Sequence, residues 1–171
     1  ALECGDLDCA LSFTDISSDK ISWTKLIDEE MLLLVSKKHA LAEAKQVPLS
    51  AFAQDSFICN NAGFDTRELL EQQCKLAGFQ PNIVFDGNEP ELAFKLVADN
   101  YGVMIVSSIV YAWKMGMEIV DPPLHYISPL HIADPICQRP LGLAVLDNHY
   151  VSKTTKRFVE GLKADFAART E

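Results

Sequence analysis

Short apolar segments that alternate with helical patterns constrain the fold of this 171-residue chain more than any other feature. The segments MLLLV at 31–35 and VMIV at 103–106 are strand-sized and wholly apolar, which is typical of strands buried on both faces. Helical spacing of apolar residues follows at 66–77 and again at 90–97. Strands that alternate with helices indicate βαβ units, so the sequence predicts an α/β fold with a largely parallel sheet.

Local signals set the expected element boundaries. The acidic triplet at 28–30 predicts a turn between two strands, at 21–27 and 31–36. Asp65, with Glu68 three residues later, predicts the N-cap of one helix, and Asn88 and Ser152 predict two further caps. Residues 117–120 are expected to be extended. The four-residue repeat of Phe158, Leu162 and Phe166 predicts the core face of the last helix.

Charge excludes some classes of partner. Fifteen basic and 24 acidic side chains give a formal net charge of −9 and a pI near 4.9. This balance weighs against a grip on nucleic-acid phosphates or on an anionic membrane surface. The longest apolar runs are far shorter than the roughly 20 residues that cross a bilayer, and the first residues lack the pattern of a secretory signal. The sequence therefore predicts a cytoplasmic protein without a membrane partner.

Five scattered cysteines form no Cys-x-x-Cys pair, which favours reduced thiols in a cytosolic protein. Cys4 and Cys9 with His125 and His131 could be drawn as a zinc set, but neither pair has the usual zinc spacing. No local pattern supports a catalytic cysteine beside a histidine. We therefore expect no metal, no cofactor and no catalytic residues.

A series of motifs runs in a recognisable order along nearly the whole chain. They are GDLDCAL at 5–11, MLLLV at 31–35, HALA at 39–42, VPLSAF at 47–52, SFI at 56–58, AGFQP at 77–81, LVADNYGVMIVSS at 96–108, RPLGLA at 139–144 and FVEGL at 158–162. Each motif alone is weakly specific, whereas their order and spacing are specific. By these motifs the sequence resembles the C-terminal effector-binding domain of LysR-type transcriptional regulators. It departs from the family pattern at Tyr101, where a small residue is usual, and at Ser107-Ser108, which replace a proline-containing turn.

The resemblance implies a type 2 periplasmic-binding-protein-like fold, in which two α/β lobes are joined by two crossover strands and a small effector binds in the cleft. It implies that lobe one is incomplete and consists of residues 1–14 and 135–171, and that lobe two covers 15–134. The first part of lobe one, the linker helix and the winged helix-turn-helix that binds DNA would precede Ala1. Apolar surface on the last helix and its neighbouring strands would then lack its usual cover.

The same resemblance places candidate effector-binding residues at strand ends and helix starts. They are Phe13, Thr14, Asn60, Asn61, Thr66, Arg67, Ser107 and Ser108. Each also has a purely structural interpretation. The two asparagines can simply form a turn, Arg67 can be a solvated residue of a first helical turn, and the serines can cap the next helix. One arginine with several hydroxyl and amide groups suits a small carboxylate, and equally a sugar or an aromatic acid.

The function predicted from these features is the effector-sensing domain of a LysR-type regulator that forms a homo-oligomer when full length. A solute-binding protein of a transport system shares the fold and is the first alternative, although the sequence shows no export signal. An enzyme is the second alternative, and no nucleophile–base pair or phosphate loop supports it. Binding to a permease would favour the first alternative, and turnover of a substrate would favour the second.

Overall fold

The computed structural model describes residues 1–116, 122–147 and 152–168. Its contacts divide the chain into a first unit, Ala1–Glu29 with Arg139–Glu171, and a second unit, Glu30–Gln138. Within the described ranges the strands are β1 (Cys9–Ser12), β2 (Ile21–Ser36), β3 (Gln46–Pro48), β4 (Ser56–Cys59), β5 (Asn82–Asp86), β6 (Met104–Ser107), β7 (Ile127–Asp134) and β8 (Gln138–Leu146). The α-helices are α1 (Asp65–Leu76), α2 (Pro90–Ala98), α3 (Ser108–Met115) and α4 (Lys153–Ala168). In this part of the chain no helix has both the length and the apolar character that a membrane span needs.

In the first unit, β8 lies between β1 and the first half of β2. β1 is antiparallel to β8, and its register pairs Ser12 with Gly142. The indole of Trp23 on β2 packs directly against Gly142, where a Cβ atom would overlap the ring. Helix α4 begins beside β1, because the Thr155 hydroxyl donates a hydrogen bond of 2.8 Å to a carboxylate oxygen of Asp8.

In the second unit, the second half of β2 lies between β6 and β7 and is antiparallel to both. The parallel part of this unit begins at the other side of β6. Val103, just before β6, forms a parallel bridge with Phe57 of β4, and β4 pairs in parallel with β5. β3 is parallel to β7. The expectation of a largely parallel sheet is thus correct for β4 and β5 and wrong around β2.

The core of the second unit lies on both sides of β2. Leu33 belongs to one buried cluster and Leu32 and Leu34 belong to another, because successive side chains of a strand point to opposite faces. The prediction that 31–35 is buried on both faces is therefore confirmed. Phe52 and Phe57, which are fully buried, anchor the first of these clusters.

The predicted turn at 28–30 is absent, and β2 is one strand of 16 residues. Each of the three acidic side chains has a basic partner, although only Glu29 is buried. Asp28 accepts from Lys25 at 2.8 Å, Glu29 is buried against Arg139, and Glu30 lies 2.6 Å from His131. These partners allow the strand to continue through a segment whose local composition is typical of a turn.

Helix starts shift by one residue from two of the predicted caps. Phe64 rather than Asp65 occupies the N-cap of α1, and Glu89 rather than Asn88 occupies that of α2. Asp65 is instead the first helical residue, where a carboxylate still interacts favourably with the helix dipole. The cap predicted at Ser152 is confirmed, since its hydroxyl accepts from the backbone N–H of Thr155 at 3.1 Å.

The predicted core face of α4 is wrong in this structure. None of the helix's described residues is buried, and Phe158 is 59% exposed, while Leu162 and Phe166 are half-buried. Leu7 and Leu11, in and beside β1, are also about half exposed. The first unit therefore presents apolar side chains to solvent. The extended segment predicted at 117–120 lies outside the described residues.

Thiol accessibility gives a first testable prediction. Cys4 is exposed, whereas Cys74 is fully buried, and this burial raises the pKa of the Cys74 thiol to about 12. Because the thiolate is the reactive form, we expect Ellman's reagent at pH 8 to modify Cys4 rapidly and Cys74 only after denaturation. The Cys4→Ser variant should lose the fast phase, and a fast phase that includes Cys74 would contradict the burial.

Candidate functional site

One edge of the second unit gathers the ends of three strands and the starts of three helices. The parallel arrangement of β4, β5 and the start of β6 brings their carboxyl ends to the same edge. Helix α1 follows β4, α2 follows β5 and α3 follows β6 directly. In α/β sheets, ligands bind at such edges, where helix N-termini carry partial positive charge and offer backbone N–H groups. We refer to this place, formed by residues 60–67, 86–90 and 107–108, as the carboxyl edge.

Asn60 and Thr66 are joined at the carboxyl edge. The Thr66 hydroxyl donates a hydrogen bond of 2.9 Å to Oδ1 of Asn60. Between them, Gly63 has a φ of +89°, and the backbone N–H of Phe64 donates to the carbonyl of Asn61 at 3.3 Å. The asparagine segment therefore forms a turn, as its structural interpretation predicts. The same turn presents the half-buried side chains of Asn60, Asn61 and Thr66 together.

The Arg67 guanidinium links α1 to the two parallel strands. Its Nε donates to Oε1 of Glu71 at 2.6 Å, and its Nη1 lies 3.3 Å from Sγ of Cys59 and 3.7 Å from Oδ2 of Asp86. The side chain is only 16% exposed, so it is not the solvated residue of the structural interpretation. Burial raises the pKa of the Cys59 thiol, and the nearby guanidinium opposes part of that rise. Arg67 thus already has two carboxylate partners within its own unit.

The two serines after β6 differ in accessibility. Ser107 is 2% exposed, and its hydroxyl accepts from the backbone N–H of Val110 at 3.1 Å, so it caps α3. Ser108 is the first residue of α3 and is half-buried. Of the two serines at the carboxyl edge, Ser108 is therefore the more accessible to a ligand.

Phe13 and Thr14 belong to the first unit. Thr14 is exposed, and its backbone forms a tight turn with the hydroxyl of Ser12, which donates to the Thr14 carbonyl at 2.8 Å. The ring of Phe13 lies against the guanidinium of Arg139, whose Cζ is 3.5 Å from the ring centroid. Arg139 in turn donates from Nε to Oε2 of Glu29 at 2.6 Å, and both charged side chains are almost fully buried.

Sequence reasoning missed Glu29 and Arg139. A signal for Glu29 was present, because alternation along β2 places it on the same face as Met31 and Leu33, which are fully buried. A carboxylate on a buried face needs a cationic partner. Arg139 carries no local signal that would identify it as that partner, since 110 residues separate the two.

The chemistry offered by the carboxyl edge is that of binding. Hydroxyl and amide groups can donate to and accept from a small polar molecule, and the helix starts favour a negatively charged group. Within the described ranges no three His, Cys, Asp or Glu side chains gather as ligands for a metal ion.

Comparison with known proteins identifies the family to which the sequence is similar. A family model described as the LysR substrate binding domain matches residues 1–167. An uncharacterized HTH-type transcriptional regulator of Bacillus subtilis, YybE, is 28% identical over 166 residues, which are 97% of this chain and 53% of that protein. The HTH-type transcriptional regulator ShiR of Corynebacterium glutamicum is 36% identical over 125 residues, 71% of this chain and 40% of ShiR.

Solved structures show the same fold. The effector binding domain of QuiR, in complex with shikimate, superposes with a TM-score of 0.71 and 25% identity over 99% of this chain and 74% of the QuiR chain. The regulatory domain of CcmR from Synechocystis superposes with a TM-score of 0.78 at 16% identity, over 96% of this chain and 76% of that chain. The chain spans about half the length of the curated relatives it matches.

Proposed function

Because the chain belongs to the LysR substrate binding domain family, we propose that it is the effector-sensing part of a LysR-type transcriptional regulator. The observation that supports this proposal is the carboxyl edge, where three helices begin. The hydrogen-bonded pair Asn60 and Thr66 lies at this edge together with Asn61 and Ser108. The relatives are transcriptional regulators, which favours regulation over transport of a solute and over catalysis.

The proposal extends to the DNA binding, location and oligomeric state of the full-length regulator. DNA binding belongs to a winged helix-turn-helix outside residues 1–171, the full-length protein acts in the cytoplasm as a homo-oligomer, and the effector alters how its DNA-binding domains are arranged. The lobe assignment, residues 1–14 with 135–171 and residues 15–134, remains a prediction from the family resemblance. Phe13, Thr14, Asn60, Asn61, Thr66, Arg67, Ser107 and Ser108 remain the candidate effector residues, with Arg67 and Ser107 in supporting roles.

A small hydroxylated carboxylate is the effector class that we propose. The N-terminus of α1 favours a negative group, while the hydroxyl and amide groups around Asn60 suit the hydroxyls of the same molecule. Arg67 contributes less, because Glu71 and Asp86 already neutralise it. The QuiR effector domain, 25% identical to this chain, was solved with shikimate, a ring that carries one carboxylate and three hydroxyls.

Calorimetric titration of the purified protein with shikimate tests this proposal. Cyclohexanecarboxylate, which lacks the hydroxyls, and inositol, which lacks the carboxylate, are the matched controls. We expect saturable binding of shikimate with one site per chain and much weaker binding of either control. Heat of dilution alone for all three compounds would contradict the proposed effector class.

The Thr66→Val variant tests the carboxyl edge itself. Valine keeps the shape of threonine but cannot donate to Asn60, so the amide loses its fixed orientation. A lost hydrogen bond of about 0.5–1.5 kcal/mol corresponds to roughly two- to thirteenfold weaker shikimate binding. The melting temperature should change little, since both side chains are only half-buried. Thr154→Val on the exposed first turn of α4 is the control, and equal affinities in the two variants would remove Thr66 from the site.

A further inference from the structure

The guanidinium of Arg67 has hydrogen-bond donors that its neighbours at the carboxyl edge do not use. Its Nε donates to Glu71 at 2.6 Å, and its Nη1 lies 3.3 Å from Sγ of Cys59. Among the residues that the structure describes, none accepts a hydrogen bond from Nη2, and this nitrogen is not buried. The side chain is only 16% exposed, yet its remaining N–H groups are open to solvent.

Asp86 is the second carboxylate beside this guanidinium, and its contact is loose. The parallel pairing of β4 with β5 places Asp86, the last residue of β5, opposite Cys59. Oδ2 of Asp86 lies 3.7 Å from Nη1 of Arg67, which is too long for a direct hydrogen bond. The Asp86 side chain is also 57% exposed. Another carboxylate can therefore replace it at the guanidinium without leaving a buried charge unpaired.

Glu71 contacts the guanidinium in a different way. It lies one helical turn after Arg67 on α1, and its 2.6 Å bond to Nε is short enough to fix the orientation of the arginine side chain. One carboxylate thus orients Arg67, while the other only opposes its charge.

We propose that Asp86 is a specificity-determining residue that competes with the carboxylate of the effector for Arg67. This inference rests on the proposed sensing function and deepens it by stating how an acidic effector is selected. In the free protein Asp86 neutralises the guanidinium. In the bound protein the effector's carboxylate contacts the open N–H groups of Arg67, and Asp86 turns to solvent. This competition keeps the affinity for simple anions low, so that a carboxylate binds only when its hydroxyls also reach the polar groups around Asn60.

Removal of the Asp86 charge tests this competition, because it predicts a gain of affinity that a damaged fold would not produce. In calorimetric titrations at low ionic strength, we expect Asp86→Asn to bind shikimate about three- to tenfold more tightly than the wild type. The gain should shrink in about 1 M salt, where the Debye length is about 3 Å. Methyl shikimate, the neutral ester, is the matched ligand and should show no gain. Asp99→Asn, which removes the same charge at the exposed C-cap of α2, should bind shikimate as the wild type does.

The Arg67→Gln variant tests whether Asp86 acts through the guanidinium. In this background Asp86→Asn should change the affinity for shikimate by less than about twofold, because no cation is left for the two carboxylates to share. An equal gain in both backgrounds would indicate a general repulsion between carboxylates and would overturn the competition.

The Cys59 thiol reports the same charges without a ligand. Burial raises its pKa, the guanidinium of Arg67 opposes this rise, and the negative charge of Asp86 adds to it. We therefore expect the pKa of Cys59 to fall in Asp86→Asn and to stay unchanged in Asp99→Asn. The ¹³Cβ resonance of labelled cysteine measures this titration, and its absence in Cys59→Ser assigns the signal.

The outcomes separate this inference from the proposed function. If the wild type binds shikimate and Asp86→Asn gains nothing, the competition is overturned while effector sensing stands. If only Asp86→Asn binds shikimate, the competition is supported. If neither protein binds shikimate, the proposed effector class fails and this inference fails with it. An unchanged Cys59 titration in Asp86→Asn would overturn the inference in every case.

Discussion

Replacing Arg139 with methionine is expected to lower the free energy of unfolding by about 3–5 kcal/mol, because it breaks a buried ion pair and removes the arginine partner of a buried carboxylate. Glu29 is 4% exposed, so water cannot replace the lost guanidinium without opening the strands. Methionine fills much of the volume of arginine but offers no donor. The substitution also removes the cation that packs on the ring of Phe13. Urea denaturation followed by circular dichroism measures the effect.

The matched control for this prediction is the double variant Glu29→Leu with Arg139→Met. Replacing both members of a buried ion pair by apolar residues of similar volume is often neutral or stabilising. We therefore expect the double variant to regain most of the stability that the single variant loses. A double variant as unstable as Arg139→Met would show that packing, rather than the isolated charge, causes the loss.

The Gly142→Ala variant is expected to be the second strongly destabilised protein. A Cβ atom at this position would overlap the indole of Trp23, so either the ring or β8 must move. Overpacking of this kind costs about 1–3 kcal/mol and occasionally more. The ring belongs to β2 and the glycine to β8, so the displacement would disturb the pairing of two neighbouring strands.

Fluorescence in a Trp113→Phe background reports the environment of Trp23 alone, since the chain contains two tryptophans. We expect Gly142→Ala to shift the emission to longer wavelength and to lower the urea midpoint. Gly161→Ala on α4 is the control, because a Cβ atom added there would meet nothing within 4 Å and alanine favours a helix by about 1 kcal/mol. The two variants should therefore change stability in opposite directions, and equal stabilities would refute the close packing at Gly142.

Apolar patterning was sufficient to predict the strands that form the centre of the second unit. Residues 31–36 and 56–59 are strands as expected, because mainly apolar runs of this length have few alternatives to burial. The same reasoning failed at 28–30. Local composition there favours a turn, whereas the strand continues because Glu29 finds a partner 110 residues away. Interactions at such separation leave no trace in a local window.

The carboxyl edge shows the same division between local and distant contacts. The turn at Asn60 and the helix that begins near Thr66 follow from nearby residues, so both were predicted. The environment of Arg67 was not, because Asp86 comes close only through the parallel pairing of β4 with β5. The local sequence predicts a solvated Arg67, whereas this side chain connects α1 with β4 and β5.

The discontinuity of the first unit also governs the order in which the molecule can form. Residues Glu30–Gln138 are contiguous, so the second unit can fold on the ribosome as soon as they have emerged. β1 emerges earlier, but its partner β8 is synthesised more than 120 residues later. During translation the residues of β1 therefore remain unpaired until β8 has been synthesised. Leu7 and Leu11, which are about half exposed even in the folded protein, are then accessible as well. In this period a chaperone or a second nascent chain has access to the edge of β1 that pairs with β8 in the folded protein.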